Sequence, residues 1–335
     1  MRLAILSLML FAAHAAAQDV HVHVDPNGHG SIASTTDYTT IQQALDHAPE
    51  APHGRIFIHI APGVYRERIN VTRNRPRVTL LGEGKGPEDV VFTAAQFAKQ
   101  AGGTFFTETA QINGDAFEAD NITFANTAGP VGQAVAAAVR SDRAVFKHCR
   151  FLGDQDTLFA DFGRQYYVDS YIEGGVDFIF GNAAAVFDHS EIHELRPAYL
   201  TAQSRTLPEQ ATGYVITHSR VTRAECLGGV PECRARANYK FFLGRPWRLY
   251  SRVIVMDSEL SQDVDPAGWS AWGRNDPTPL AFYAEYNNSG PGWRPKERAP
   301  WSHQLTAKEA AAFEPRAFLR GDDGWDPVAE AAKLP

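Results

Sequence analysis

The sequence predicts an all-β chain wound as a single parallel β-solenoid, capped by a short N-terminal helix and followed by a C-terminal tail packed along its side. Three observations carry this prediction. Short apolar segments recur with a small residue in register, at Cys149, Ser170, Ser190, Ser219 and Ser258. The steps between them are 21, 20, 29 and 39 residues, which is the mark of stacked coils with insertions on one side. The segments are rich in β-branched and aromatic residues at period two, the alternation of a strand. A β-sandwich would need frequent hairpin turns, and Asn113-Gly114 is a weak signal of that kind.

At the N-terminus, Arg2 precedes an apolar run at residues 3–11, and Ala15-Ala16-Ala17 stands just before Gln18. That order is a secretory signal, so residues 1–17 are expected to be removed, leaving a domain of residues 18–335. The run is shorter than the roughly 20 residues a membrane span needs. The expectation is a secreted protein, extracellular or periplasmic, with no membrane anchor. Thr40 and Gln43 form a capping box ahead of the apolar stripe Ile41, Ala44, Leu45 and Ala48, a helix placed to close the first coil. Residues 122–124 belong to an early coil. The five register segments, 145–151, 166–172, 186–192, 215–221 and 254–260, each read as one strand. Thr306 and Glu309 make a second capping box in the tail, which runs from about residue 300 to 335. Cys226 and Cys233 flank a turn-rich segment that a disulfide could close in an exported chain, whereas Cys149 reads as a buried small residue.

Hydrophobic residues make up 44% and charged residues 21%, a globular balance. Lys and Arg number 32 against 39 Asp and Glu, and the net charge of −7 weighs against nucleic acid as a partner. A monomer is expected.

The chemistry sits in a column. Asp156 lies seven residues after Cys149, and Asp177 seven after Ser170, so the two occupy the same place on successive coils. Adjacent rungs stand about 4.8 Å apart. Carboxylates that close do not both ionise readily, which suits one to hold a proton while the other acts as base or nucleophile. A merely structural polar ladder gives the same spacing, but the neighbours favour a site. Gln155 precedes Asp156, and Gln133 lies about one coil earlier; side-chain amides donate to a developing oxyanion. Val176, Phe178, Ile179 and Phe180 surround Asp177 with apolar bulk, and Gly244-Arg245-Pro246-Trp247 offers a fixed cation and a flat aromatic.

These residues resemble the pectin methylesterase family. The resemblance rests on Gln155-Asp156-Thr157-Leu158, Val176-Asp177-Phe178-Ile179-Phe180-Gly181 and Gly244-Arg245-Pro246-Trp247. Gly63-Val64-Tyr65-Arg66-Glu67 and Gln133-Ala134-Val135-Ala136 join them in the family's order, and the similarity spans about residues 25 to 327. It implies a right-handed parallel β-helix and hydrolysis of methyl esters in pectin, with methyl-esterified homogalacturonan as the partner and neither cofactor nor metal. It implies Asp177 as nucleophile, Asp156 as general acid and base, Gln133 and Gln155 as oxyanion donors, and Arg245 as the group that orients Asp177. Trp247, Phe180 and Val176 would contact the sugar. Three positions depart from the family's usual pattern: Asp154, Phe159 and Gly175. Asp154 would add negative charge beside the site. A related esterase or thioesterase on another acyl group, a glycosidase on the same scaffold, and a silent carbohydrate-binding solenoid are the alternatives. His189 and His193 do not form a metal pair, since on a strand they would stand about 13 Å apart. A serine-nucleophile elbow of the Gly-x-Ser-x-Gly type does not occur.

Overall fold

The computed structural model describes residues 18–28, 37–224, 239–273 and 278–335. The leader-like residues 1–17 and the Cys226/Cys233 pair lie outside them. Among the described residues the strands form three parallel sheets, of 12, 8 and 7 strands, each ordered by successive coils. The chain is a right-handed parallel β-helix. One coil shows the plan: Arg164–Val168 runs in the first sheet, Tyr171–Gly174 in the second and Ile179–Gly181 in the third. The coil above repeats it with Ala184–Asp188, Glu191–Glu194 and Tyr199–Gln203, all paired in register with the strands below.

The register segments are not single strands. Each is two strands meeting at a corner between the first and second sheets, as in Ala144–Lys147 and Arg150–Leu152. The cause is a left-handed residue just before each small one: His148, Asp169, His189, His218, Asp257 and Asn287 all have φ between 46° and 49°. His, Asp and Asn enter that region more readily than other non-glycine residues. The small residues then form a ladder up the corner. The backbone N–H of Cys149 donates to Ser170 Oγ, Ser170 to Ser190, Ser190 to Ser219, and Ser219 to Ser258, at 3.0–3.1 Å. Ser258 continues it to Asn288 Oδ1 at 3.0 Å. These buried hydroxyls satisfy backbone groups that a turn would otherwise strand.

Inside the solenoid, side chains stack rung on rung. The rings of Phe146, Tyr167 and Phe187 lie 4.8 Å apart in sequence, all fully buried. The N-terminal helix, Ile41–His47, buries Ile41, Ala44 and Leu45 in this core. Its cap is only half a capping box: Thr40 Oγ1 accepts from Gln43 N at 3.2 Å, but the Gln43 side chain turns to Thr39. Glu67 satisfies the next two amides of the helix end, its carboxylate accepting from Ile41 N and Gln42 N at 3.0 and 3.1 Å. The second capping box, Thr306 with Glu309, is complete. The tail lies on the outer face of the first sheet, where Leu319, Trp325, Ala331 and Leu334 pack over Val145, Tyr166 and Val186. No helix among the described residues is long and apolar enough to cross a membrane.

Candidate active site

The site is built where each coil turns from the second sheet into the third. Asp156 and Asp177 both take left-handed backbone, with φ of 64° and 49°. A left-handed residue breaks the two-face alternation of extended chain, so Gln155 and Asp156, neighbours in sequence, both line one outer cleft. Gln155 bridges Gln133 on one side and Val176 on the other, while Leu158 pairs with Ile179. The shared offset puts Asp156 and Asp177 on adjacent rungs of one column, with backbones about 4.8 Å apart.

Arg245 clamps the upper aspartate. Its Nε donates to Asp177 Oδ1 at 2.9 Å and its Nη2 to Oδ2 at 2.6 Å, a forked contact. The guanidinium carbon also stands 3.9 Å from the ring centre of Tyr199 and 4.1 Å from that of Trp272. Asp156 makes no side-chain hydrogen bond among the described residues. Burial first, and the Asp177 charge second, push its carboxyl up to about 8, with Arg245 opposing them. Burial also raises Asp177, but there the Arg245 hydrogen bonds and charge work against it directly. The proton of the pair therefore rests on Asp156. The side-chain amides of Gln133 and Gln155 likewise have no hydrogen-bond partner among the described residues, and both face the cleft.

The cleft holds about 300 Å³ and is walled by aromatics. Phe105, Phe180, Trp247 and Trp272 line it. The buried Phe159 stacks behind them, 4.9 Å from Phe105 and 4.5 Å from Phe180, and Trp247 stands 6.2 Å from Phe180 and 6.4 Å from Trp272. The structure thus brings together Gln133, Gln155, Asp156, Asp177, Phe180, Arg245 and Trp247. Val176 contributes its backbone, its carbonyl accepting from Asp156 N at 3.1 Å, and is not among the cleft-lining residues.

The Pectinesterase family profile matches residues 30–322. This chain belongs to the pectinesterase family. A pectinesterase of Daucus carota is 37% identical over 307 residues, 89% of this chain and 94% of the relative. A pectinesterase/pectinesterase inhibitor of Arabidopsis thaliana is 38% identical over 304 residues, 88% of this chain but 53% of the relative. The chain spans about half the length of several such curated relatives. Among solved structures, a carrot pectin methylesterase superposes with TM-score 0.83 at 36% identity, covering 94% of this chain and 96% of that one. A pectin methylesterase from Erwinia chrysanthemi gives 0.74 at 28%, covering 91% and 98%.

Two features set this pectinesterase-family site apart from the sequence expectation. Asp154 does not stand as a free charge: it is ion-paired with Arg196, whose side chain passes over Gly175. A Cβ at residue 175 would meet Arg196 Nε at 2.3 Å, so the glycine makes room for the pair. Tyr199 and Trp272 were not among the expected site residues. Tyr199 stands on the next rung, its carbonyl accepting from Asp177 N at 2.8 Å as that of Val176 accepts from Asp156 N. Trp272 is carried beside Trp247 by the bridge of Gly244 to Trp269. Counting seven residues on from Ser190 reaches Pro197 and misses Tyr199, because this turn is two residues longer, and Trp272 follows an insertion that the coil arithmetic does not reach.

Proposed function

We propose that the chain hydrolyses the methyl esters of homogalacturonan, releasing methanol and leaving free carboxylates. The observation that carries this is the pairing of an Arg245-clamped Asp177 with an unpartnered, proton-holding Asp156 one rung away. Asp177 attacks the C6 carbonyl of a methylated galacturonate unit. The carbonyl oxygen becomes an oxyanion and accepts hydrogen bonds from the open amides of Gln133 and Gln155. As the C–O bond to the methoxy group breaks, Asp156 delivers its proton and methanol leaves. The resulting acyl-enzyme is opened by water: Asp156, now a carboxylate, takes the water's proton as its oxygen attacks, and Asp177 departs as the carboxylate. Arg245 holds Asp177 in its attacking orientation, and Trp247 and Phe180 present flat faces to sugar C–H groups. Val176 would contact sugar beyond the cleft proper. The reaction as written uses no metal or cofactor.

The solved relatives support the substrate: one pectin methylesterase, 26% identical, is in complex with a hexasaccharide. The leader-like residues 1–17 support export, and the reading is of a secreted monomer. The test is methanol release from highly methylated pectin with reducing ends measured in parallel. Methanol without new reducing ends is the expected result. Reducing ends rising with turnover would make it a glycosidase, to which closely spaced carboxylates are also suited. Hydrolysis of an acyl thioester with pectin untouched would assign it to the related esterases.

A further inference from the structure

A second cluster lies far from the cleft, on the outer face of the first sheet at its N-terminal end. Strands Val20–Val24 and Ile56–Ile60 pair in parallel, placing His23 beside His59, and Val78–Gly82 forms the next rung with Glu83 just past its end. Alternation turns Val22 and Val24 into the core and leaves His21 and His23 outside. One ring nitrogen of His23, one of His59 and a carboxylate oxygen of Glu83 lie within 4.8 Å of one another. The His59 ring is stacked between those of His21 and His23, at 5.3 and 4.9 Å.

We infer that His23, His59 and Glu83 form a binding site for a divalent transition-metal ion of the zinc type, one that staples the first three rungs of the solenoid together. Zinc bonds to nitrogen and oxygen ligands are about 2.0–2.2 Å, so two ligands on one tetrahedral ion stand about 3.3–3.5 Å apart. His59 Nδ1 and Glu83 Oε1 already stand 3.3 Å apart. One nitrogen of His23 lies within 4.8 Å of the other two ligands, so binding requires the exposed His23 side chain to rotate inward. The other nitrogen of His59, Nε2, lies 3.0 Å from His21 Nδ1. Without an ion, Nδ1–H of His59 donates to Glu83 and Nε2 accepts from His21. With an ion the tautomer reverses: the Nδ1 lone pair and Glu83 face the metal, and Nε2–H donates to His21. An outer hydrogen bond of that kind orients most metal-bound histidines. Two imidazoles with one carboxylate favour zinc over calcium or magnesium.

A second group, Asp188 with His189 and His218, lacks this freedom. Asp188 Oδ1 is shared by both imidazoles at 2.8 and 3.0 Å, and Oδ2 accepts from Tyr166 at 2.7 Å. It serves as the control.

The experiment is calorimetric titration of the folded chain with Zn²⁺ alone in a non-chelating buffer, alongside the thermal midpoint with and without the ion. One ion per chain is expected, with the midpoint raised by about 3–8 °C at saturation. His23→Asn and His59→Asn should each weaken binding by about tenfold or more, while retaining methanol release from pectin as evidence that the fold is intact. His189→Asn with His218→Asn should leave binding unchanged. Absence of Zn²⁺ binding, binding that survives His59→Asn, or binding lost with the control pair would overturn the inference.

Discussion

The division of labour between Asp156 and Asp177 comes from their partners, since both carboxyls share one column and one apolar setting. Asp177 has the Arg245 fork, and the Asp156 carboxyl has no hydrogen-bond partner among the described residues. Both glutamines line the cleft, which bears on Gln155→Ala. If Gln155 donates to the oxyanion, kcat for methanol release should fall about 10²–10³-fold. KM should stay nearly constant, because the ground-state carbonyl asks little of the donor. A rate within threefold of wild type would remove the assignment. At Gly175, alanine should disturb the Asp154–Arg196 pair through its Cβ contact with Arg196, leaving Asp154 a half-buried charge without its partner. The expected outcome is a loss of about 1–3 kcal/mol in urea unfolding, and a change under 0.5 kcal/mol would show that Arg196 yields easily. At this scale the aspartates and glutamines were legible as spacing. Tyr199 and Trp272 were not, because a guanidinium stacked on two rings is assembled from separate coils and an insertion.

The corner between the first and second sheets shows where pattern reading stops at the level of elements. Core-facing positions in 145–151 are Phe146, Cys149 and Phe151, so the alternation slips by one residue at His148, a phase shift too short to read as a bend from periodicity alone. The signal was in residue type: each small register residue follows a His, Asp or Asn, the side chains most at ease in left-handed backbone. The small residues were noticed for their size, while their structural work is hydrogen bonding. Ser190 Oγ accepts from Ser170 N and donates to the Asp188 carbonyl. Ser190→Ala should therefore leave a buried N–H unsatisfied and cost about 1–3 kcal/mol in equilibrium urea unfolding. A cost near zero would mean the ladder fills space and no more. The capping helix was legible down to its first residue, yet only half of its capping box forms. Gln43 does not reach back to Thr40, and Glu67, a residue of another turn, takes the N–H groups of Ile41 and Gln42.

For the whole molecule, a regular winding holds two carboxyls closer than they would choose in water, and the solenoid pays for that proximity in pH-dependent stability. Unfolded, Asp156 releases its proton near the ordinary carboxylate value of about 3.9; folded, it keeps it to about 8. Across that interval the native state binds the extra proton, so this contribution to stability is complete at low pH and is lost as pH rises through about 8. Asp156→Asn should accordingly gain stability relative to wild type with increasing pH, the difference levelling off above about 8; a pH-independent difference in unfolding free energy would contradict this. The solenoid winding, the end cap and the side-packed tail were visible as periodicity and capping signals, but the register segments account for only part of a first sheet of 12 strands. The three-sheet cross-section was not, since it depends on corners rather than on strands. The most direct test of the account is a titration of the Asp156 carboxyl by infrared difference spectroscopy, comparing wild type with Asp156→Asn. In the wild type a protonated carboxyl band should persist through neutral pH and disappear with an apparent midpoint near 8, and it should be missing from the variant. Complete ionisation of both aspartates by pH 5 would contradict it.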